Sequence, residues 1–228
     1  MSESSGLNHK EGLTTKPLEV LMPPAERRFN QETFTYILNV TQPLEATFEK
    51  ASIVLPDTLE ARSAAGEDIT LKRKKEFHLT CVGFSHRGIM EEAAMRYADG
   101  REAFCRRVSE LLSGIDFSFA VDMSTVRLIQ NLEYDPEAVR ERKSYESANT
   151  IIVDVETTGI QEFYRCMKEE LGVDLGTSAA HATLYIQDNG DATGLGIGIK
   201  NIEEQQKGAS SYGPYIASVP IQWKNEEA

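Results

Sequence analysis

Two stretches of this chain hold residue types that could do chemistry. One is Glu76-Phe77-His78-Leu79-Thr80-Cys81-Val82, and the other is Ala180-His181-Ala182-Thr183-Leu184-Tyr185-Ile186. Each is a short apolar run carrying His-x-Thr. In a β-strand, side chains two residues apart point to one face. His78 and Thr80 therefore project together, opposite Phe77, Leu79 and Cys81. His181, Thr183 and Tyr185 are expected to share a face in the same way, opposite Ala182, Leu184 and Ile186. The chain has 4 histidines, so these settings account for half of them.

Two imidazoles brought together form an acid–base pair suited to phosphate esters. One takes a proton from the attacking oxygen and the other gives one to the leaving oxygen. Threonine hydroxyls held on strands can donate hydrogen bonds to the phosphate oxygens as charge shifts. The scheme needs no metal and no other cofactor. A metal site is a weaker alternative, because the same strands carry no spaced carboxylate cluster to complete a ligand set. A single His-x-Thr strand is usually a half-buried histidine beside a good β-former; the repetition is the signal.

Two further residues are candidates for holding substrate. Lys74, within the run Lys72-Arg73-Lys74-Lys75, is in phase with His78 and is expected to edge the phosphate. The same lysines also read as charges guarding the start of a strand. Tyr185, in phase with Thr183, is the aromatic expected to stack a base.

The paired motifs His78-Leu79-Thr80 and His181-Ala182-Thr183, with the element order over residues 30–228, resemble the two-histidine (2H) phosphoesterase superfamily. It includes RNA 2′,3′-cyclic phosphodiesterases, plant cyclic-nucleotide phosphodiesterases, RNA-trimming exonucleases and viral enzymes that cut oligonucleotide signals. The resemblance implies an α+β fold of two pseudo-symmetric lobes, each an antiparallel sheet with flanking helices, around a central cleft. It also implies a hydrolase that cleaves phosphodiesters without metal, with His78 and His181 as the acid–base pair and Thr80 and Thr183 on the phosphate. The implied substrate is a cyclic phosphate on an RNA end, or a small cyclic or 2′-5′ nucleotide. The alternative is a non-catalytic module of the same fold that binds a nucleotide or an RNA end.

Composition narrows the partners. The 228 residues carry a formal net charge of −12. That argues against gripping a long duplex nucleic acid, which needs cationic patches that displace counterions. A small nucleotide or an RNA end in a locally basic site remains compatible. Cys81, Cys105 and Cys166 show no metal-type spacing and read as free thiols in a reducing compartment. No apolar leader or membrane-length run is present, so a cytoplasmic protein without a membrane partner is expected.

Residues 1–28 read as a polar, mobile or draping arm in which His9 is idle, and 29–228 as one two-lobed domain. Strands are expected over 33–40 and in the apolar run 51–55, with a polar loop over 59–68. Helices are expected over 89–112, broken near Asp99-Gly100 and stopped at Gly114. His86 falls at a turn. Residues 117–121 and 125–129 read as two strands close enough in sequence to pair as a hairpin, and 133–147 as a charged joint. A strand over 150–155 leads to a helix opening at Gly159 and closing at Gly172. The alternating glycines of 193–199 lack a following Gly-Lys-Ser/Thr, so they suit close strand packing rather than a phosphate cradle. A last strand is expected over 216–223, carrying Trp223.

Overall fold

The computed structural model describes residues 18–21, 27–62, 66–121, 125–131, 137, 149–187, 199, 209–210 and 213–220. Among them the chain forms β1 (Leu18–Leu21), β2 (Arg27–Asn30), β3 (Thr35–Asn39), α1 (Thr41–Lys50), β4 (Thr58–Arg62), β5 (Asp68–Arg73) and β6 (His78–Val82). A 3-10 turn, Phe84–His86, leads into α2 (Arg87–Arg96) and α3 (Gly100–Ser113). Next come β7 (Ser118–Val121), β8 (Arg127–Asn131), β9 (Asn149–Thr157), α4 (Thr158–Leu171) and β10 (His181–Gln187). The short β11 (Ala209–Ser210) and β12 (Gly213–Pro220) complete the described elements. The class is α+β.

All strand pairs are antiparallel, and the main path through the sheet is β11-β12-β8-β9-β10-β6-β3-β2. β10 sits at its centre, with β9 on one edge. Its other edge is shared end to end by β6 and β5. β4 hairpins onto β5, and β7 joins the far end of β9 and also pairs with β1.

Alternation along the strands sends one set of side chains to the helices. Leu38, Leu79, Val153 and Ala182 are buried in one core with Leu44 and Phe48 of α1, Met90 of α2, Phe104 and Val108 of α3, and Phe163 and Met167 of α4. α4 shows how the sequence makes such a helix: Ile160, Phe163, Tyr164 and Met167 fall at i, i+3, i+4 and i+7 and are all buried. It ends where Gly172 takes φ 68°, and the Gly172 N–H donates to the Lys168 carbonyl. The other face of the sheet carries a small cluster, Ile129, Ile152, Ala179 and Ile199.

Several expectations are corrected. Residues 41–50 form a helix that the strand-like reading of this region missed, and 51–57 are turn and irregular chain. Pro43 lies in the first turn, where its missing N–H costs nothing, and Leu44, Thr47 and Phe48 make the buried stripe. The polar stretch 59–68 is mostly a hairpin, because Leu59 and Ala61 alternate with charged residues and pair with Leu71 and Ile69. β7 and β8 are not a hairpin; both pair with β9, at opposite ends of it. Strand pairing begins before Phe29, since Leu18–Leu21 pairs with β7 and Arg27 and Arg28 pair with β3. The helix break at Asp99-Gly100 stands as expected. His9, the joint over 133–147 apart from residue 137, the glycines 194–198 and Trp223 lie outside the described residues.

Gly159 gives a direct test of this packing. A Cβ there would lie 2.8 Å from Cγ and 2.9 Å from Cε1 of the buried Phe117 ring. Gly159→Ala should gain about 1 kcal/mol of helix propensity and lose about 1–3 kcal/mol to overpacking. Urea unfolding is expected to show a net loss of stability, and a more stable variant would place the ring elsewhere.

Candidate functional site

One register brings the two motifs together. Leu79 of β6 stands opposite Ala182 of antiparallel β10. Counting outward, Thr80 stands level with His181, and His78 with Thr183. Leu79 and Ala182 both enter the helix-side core, so alternation turns all four neighbours to the opposite face. On adjacent strands such cross-strand partners are about 4.5–5.5 Å apart. His78, His181 and Thr183 are half-buried there, and Thr80 is exposed.

A β-bulge follows each motif. On β6, Thr80 pairs with Ile37 and Val82 with Tyr36, which leaves Cys81 as the extra residue. On β10, Thr183 pairs with Ile152 and Tyr185 with Ile151, which leaves Leu184. The residue after each threonine is therefore the bulged one, and both it and its successor turn into the core. The carbonyls of the bulged residues are satisfied locally. The Tyr164 hydroxyl donates to the Cys81 carbonyl at 2.7 Å, and the Lys74 N–H donates to that of Leu184 at 2.9 Å. Burial pushes the Tyr164 phenol well above the usual tyrosine range, so it stays protonated as this donor.

The chain entering each histidine is held as well. The Val40 N–H donates to the Phe77 carbonyl at 2.8 Å, and the Phe77 N–H donates to the Thr41 hydroxyl at 2.9 Å. The Val155 N–H donates to the Ala180 carbonyl at 2.9 Å. His181 Nδ1 lies 2.8 Å from the Ala179 carbonyl. A carbonyl only accepts, so Nδ1 carries a hydrogen, and in the neutral ring Nε2 is then the basic nitrogen.

Flanking strands supply residues that strand patterns alone did not single out. Asn39 of β3 stands beside His78, and Asp154 of β9 beside His181. The Asn39 side-chain oxygen accepts the Thr41 N–H at 3.0 Å. Asp154 accepts two hydrogen bonds from the Arg127 guanidinium, at 2.7 and 2.8 Å, a charged fork on the site face. Arg127 also donates to the Thr125 carbonyl, and the Asp154 N–H donates to the Thr125 hydroxyl. The available signal was a lone Asp inside the apolar run of β9, where an unpaired charge would be costly.

Lys74 lies one residue beyond β5 and continues the phase of Thr70 and Lys72, away from the helix-side face of Leu71. Its N–H bond to Leu184 sets it level with the bulge after Thr183. Burial lowers its ammonium below the usual lysine range, against the opposing pull of the Glu76 carboxylate. An anion nearby would favour the charged form again.

Tyr185 does not share the face of Thr183. The Leu184 bulge reverses the phase, so Tyr185 is fully buried in the helix-side core. Its hydroxyl donates to the Pro56 carbonyl at 2.9 Å, and burial pushes its phenol up to about 12. It lacks the exposed ring that base stacking requires. His86 is also buried, accepting the Gly83 N–H at Nδ1 and lying edge-on to Tyr164. Among the described residues no group of three His, Cys, Asp or Glu gathers as a metal site, and no helix is long and apolar enough to cross a membrane.

A packing role for Tyr185 predicts a stability effect without a catalytic one. Tyr185→Phe removes the hydroxyl and leaves the Pro56 carbonyl without that donor, at about 1–2 kcal/mol. Thermal unfolding should show the loss while turnover of any substrate is unchanged. A fall in turnover with unaltered stability would return this ring to the site.

No protein-family model, no curated protein and no solved structure matches this chain.

Proposed function

We propose that the chain is a phosphodiesterase of the two-histidine type, working without a metal. The single observation that carries this reading is the Leu79–Ala182 register, which groups His78, Thr80, His181 and Thr183 on one face of two adjacent strands. In this reading β3, α1 and β6 belong to one lobe and β9, α4 and β10 to its counterpart. The two lobes share a cleft on the face away from the helices. The equivalent bulges at Cys81 and Leu184 support such a duplication.

The chemistry follows from the residue types. One histidine takes a proton from the attacking water as its oxygen bonds to phosphorus. The other gives its proton to the ester oxygen as the P–O bond breaks. Thr80 and Thr183 donate to the non-bridging oxygens, whose charge rises in the transition state. Lys74 adds positive charge beside them. The substrates that suit the site are a 2′,3′-cyclic phosphate on an RNA end, or a small cyclic or 2′-5′ nucleotide, in keeping with the absence of a strongly basic overall charge.

The test is hydrolysis of a 2′,3′-cyclic nucleotide in excess EDTA. Activity should persist, and zinc- or manganese-dependent recovery after chelation would instead indicate a metallohydrolase. His78→Ala and His181→Ala should each cost about 10²–10⁴-fold in kcat. Because both act on one phosphate, the double variant should be little worse than the poorer single one. Thr80→Val and Thr183→Val keep the strand shape and should each lose about 10²-fold. Nucleotide binding without any turnover would favour the non-catalytic module.

A further inference from the structure

The two histidines have matching backbone surroundings but differ in the charge of their neighbours. Each is preceded by a backbone anchor, followed by a threonine and then a bulge, and flanked by an isoleucine beside the threonine of its own motif (Ile37 for Thr80, Ile152 for Thr183). On the neighbouring strand, the register partner of His78 is the amide residue Asn39, whereas that of His181 is the carboxylate residue Asp154. We propose that Asp154, oriented by Arg127, makes His181 the proton donor, and that Asn39 leaves His78 as the proton acceptor. This assignment rests on the phosphodiesterase reading and completes it.

The charged groups around the two rings differ strand by strand. Around His181, β9 presents Asp154, with Arg127 of β8 behind it; β6 presents the neutral Thr80; β10 itself presents Thr183. Arg127 belongs to β8 and His181 to β10, on opposite sides of the β9 strand that carries Asp154, so strand order puts the negative end of the pair nearer His181. Arg127 and Asp154 are only 16% and 30% exposed, which limits screening by water and salt. The Ala179 carbonyl at Nδ1 also favours the cation, since it accepts from the charged ring. Around His78, β3 presents Asn39, β10 presents Thr183, and the approach from β5 brings Lys74, Lys75 and Glu76. Lys74, half-buried, opposes a second positive charge there.

The proton inventory then closes. Water attacks phosphorus, its proton passes to neutral His78, the P–O bond to the leaving oxygen breaks, and that oxygen takes the proton of cationic His181. Exchange with solvent restores both rings.

The test combines NMR titration of the two imidazoles in the free protein with the pH profile of kcat/KM on a 2′,3′-cyclic nucleotide. His181 should titrate above His78. Asp154→Asn should lower the His181 midpoint, and with it the alkaline limb, by about one pH unit. Arg127→Met, which leaves the carboxylate unopposed, should raise both. Asn39→Asp keeps the oxygen that accepts the Thr41 N–H and adds a charge, so it should raise the His78 midpoint and the acid limb. It also guards against Asp154→Asn simply unfolding. His181 titrating at or below His78, or shifts of the opposite sign, would overturn the assignment. A wild-type protein with the expected titrations but inert toward phosphodiesters would overturn the phosphodiesterase reading instead.

Discussion

The pairing of β10 with β6 is the constraint on which the site depends, and hydrophobic burial fixes it. Strand registers differ by whole residues, and a slip of one turns every side chain to the other face. A slip of β10 would move Ala182 and Leu184 out of the helix-side core and drive His181 and Thr183 into it. Exposing one buried leucine costs about 1.5–3 kcal/mol, and burying an unpaired polar group adds about 1–3 kcal/mol. The four polar residues thus gather on one face because their neighbours are held on the other. Helix packing and site geometry are consequences of the same alternation.

The bulges decide how far the polar faces extend. Without them Val82 and Tyr185 would follow Thr80 and Thr183 onto the open face, and each motif would continue as a polar–apolar repeat. With one extra residue in each strand, both positions fall in the core, and the open face is confined to His-x-Thr. A bulge takes a backbone carbonyl out of the ladder, and leaving one buried and unmatched would cost about 1–3 kcal/mol. Tyr164 of α4 supplies the donor at Cys81, and Lys74 supplies it at Leu184. The second solution ties a cationic residue to the site through its own backbone, so stability and electrostatics are linked at Lys74.

Much of this was legible in the chain. The two His-x-Thr strands, the long β9, the helices over 87–113 and the closure of α4 at Gly172 follow from alternation, 3.6-residue periodicity and a left-handed glycine. Tyr185 was not, because a bulge leaves no mark in hydrophobic pattern: Thr183, Leu184 and Tyr185 are all good strand residues, and only the pairing with β9 reveals the extra one. The helix over 41–50 was hidden by Pro43 and by two threonines, which weaken propensity although tertiary packing of Leu44 and Phe48 overrides it. Arg127 and Asp154 lie 27 residues apart, and the fork between them depends on which strands become neighbours. Nothing local encodes that adjacency.

The difference between Asn39 on one flank and Asp154 on the other has a physical consequence for the proposed acid–base work. If the two imidazoles held protons equally well, the productive state with one charged and one neutral ring in the right places would reach at most about a quarter of the population, since half of the singly protonated molecules would carry the proton on the wrong ring. Separating the two affinities by one pH unit raises that ceiling to roughly 0.6. A carboxylate on one flank and an amide on the other is a small change in side-chain volume, so the strands and their bulges need not differ to accommodate it. Arg127 matters here in two opposed ways. It holds the Asp154 carboxylate through two hydrogen bonds, and it partly cancels the field of that carboxylate at His181, so the proposed separation is moderate. A moderate separation suits this chemistry. Too strong a bias would make His181 a poor donor to a leaving oxygen, whereas a donor whose affinity stays near neutrality transfers its proton while still being charged at the outset.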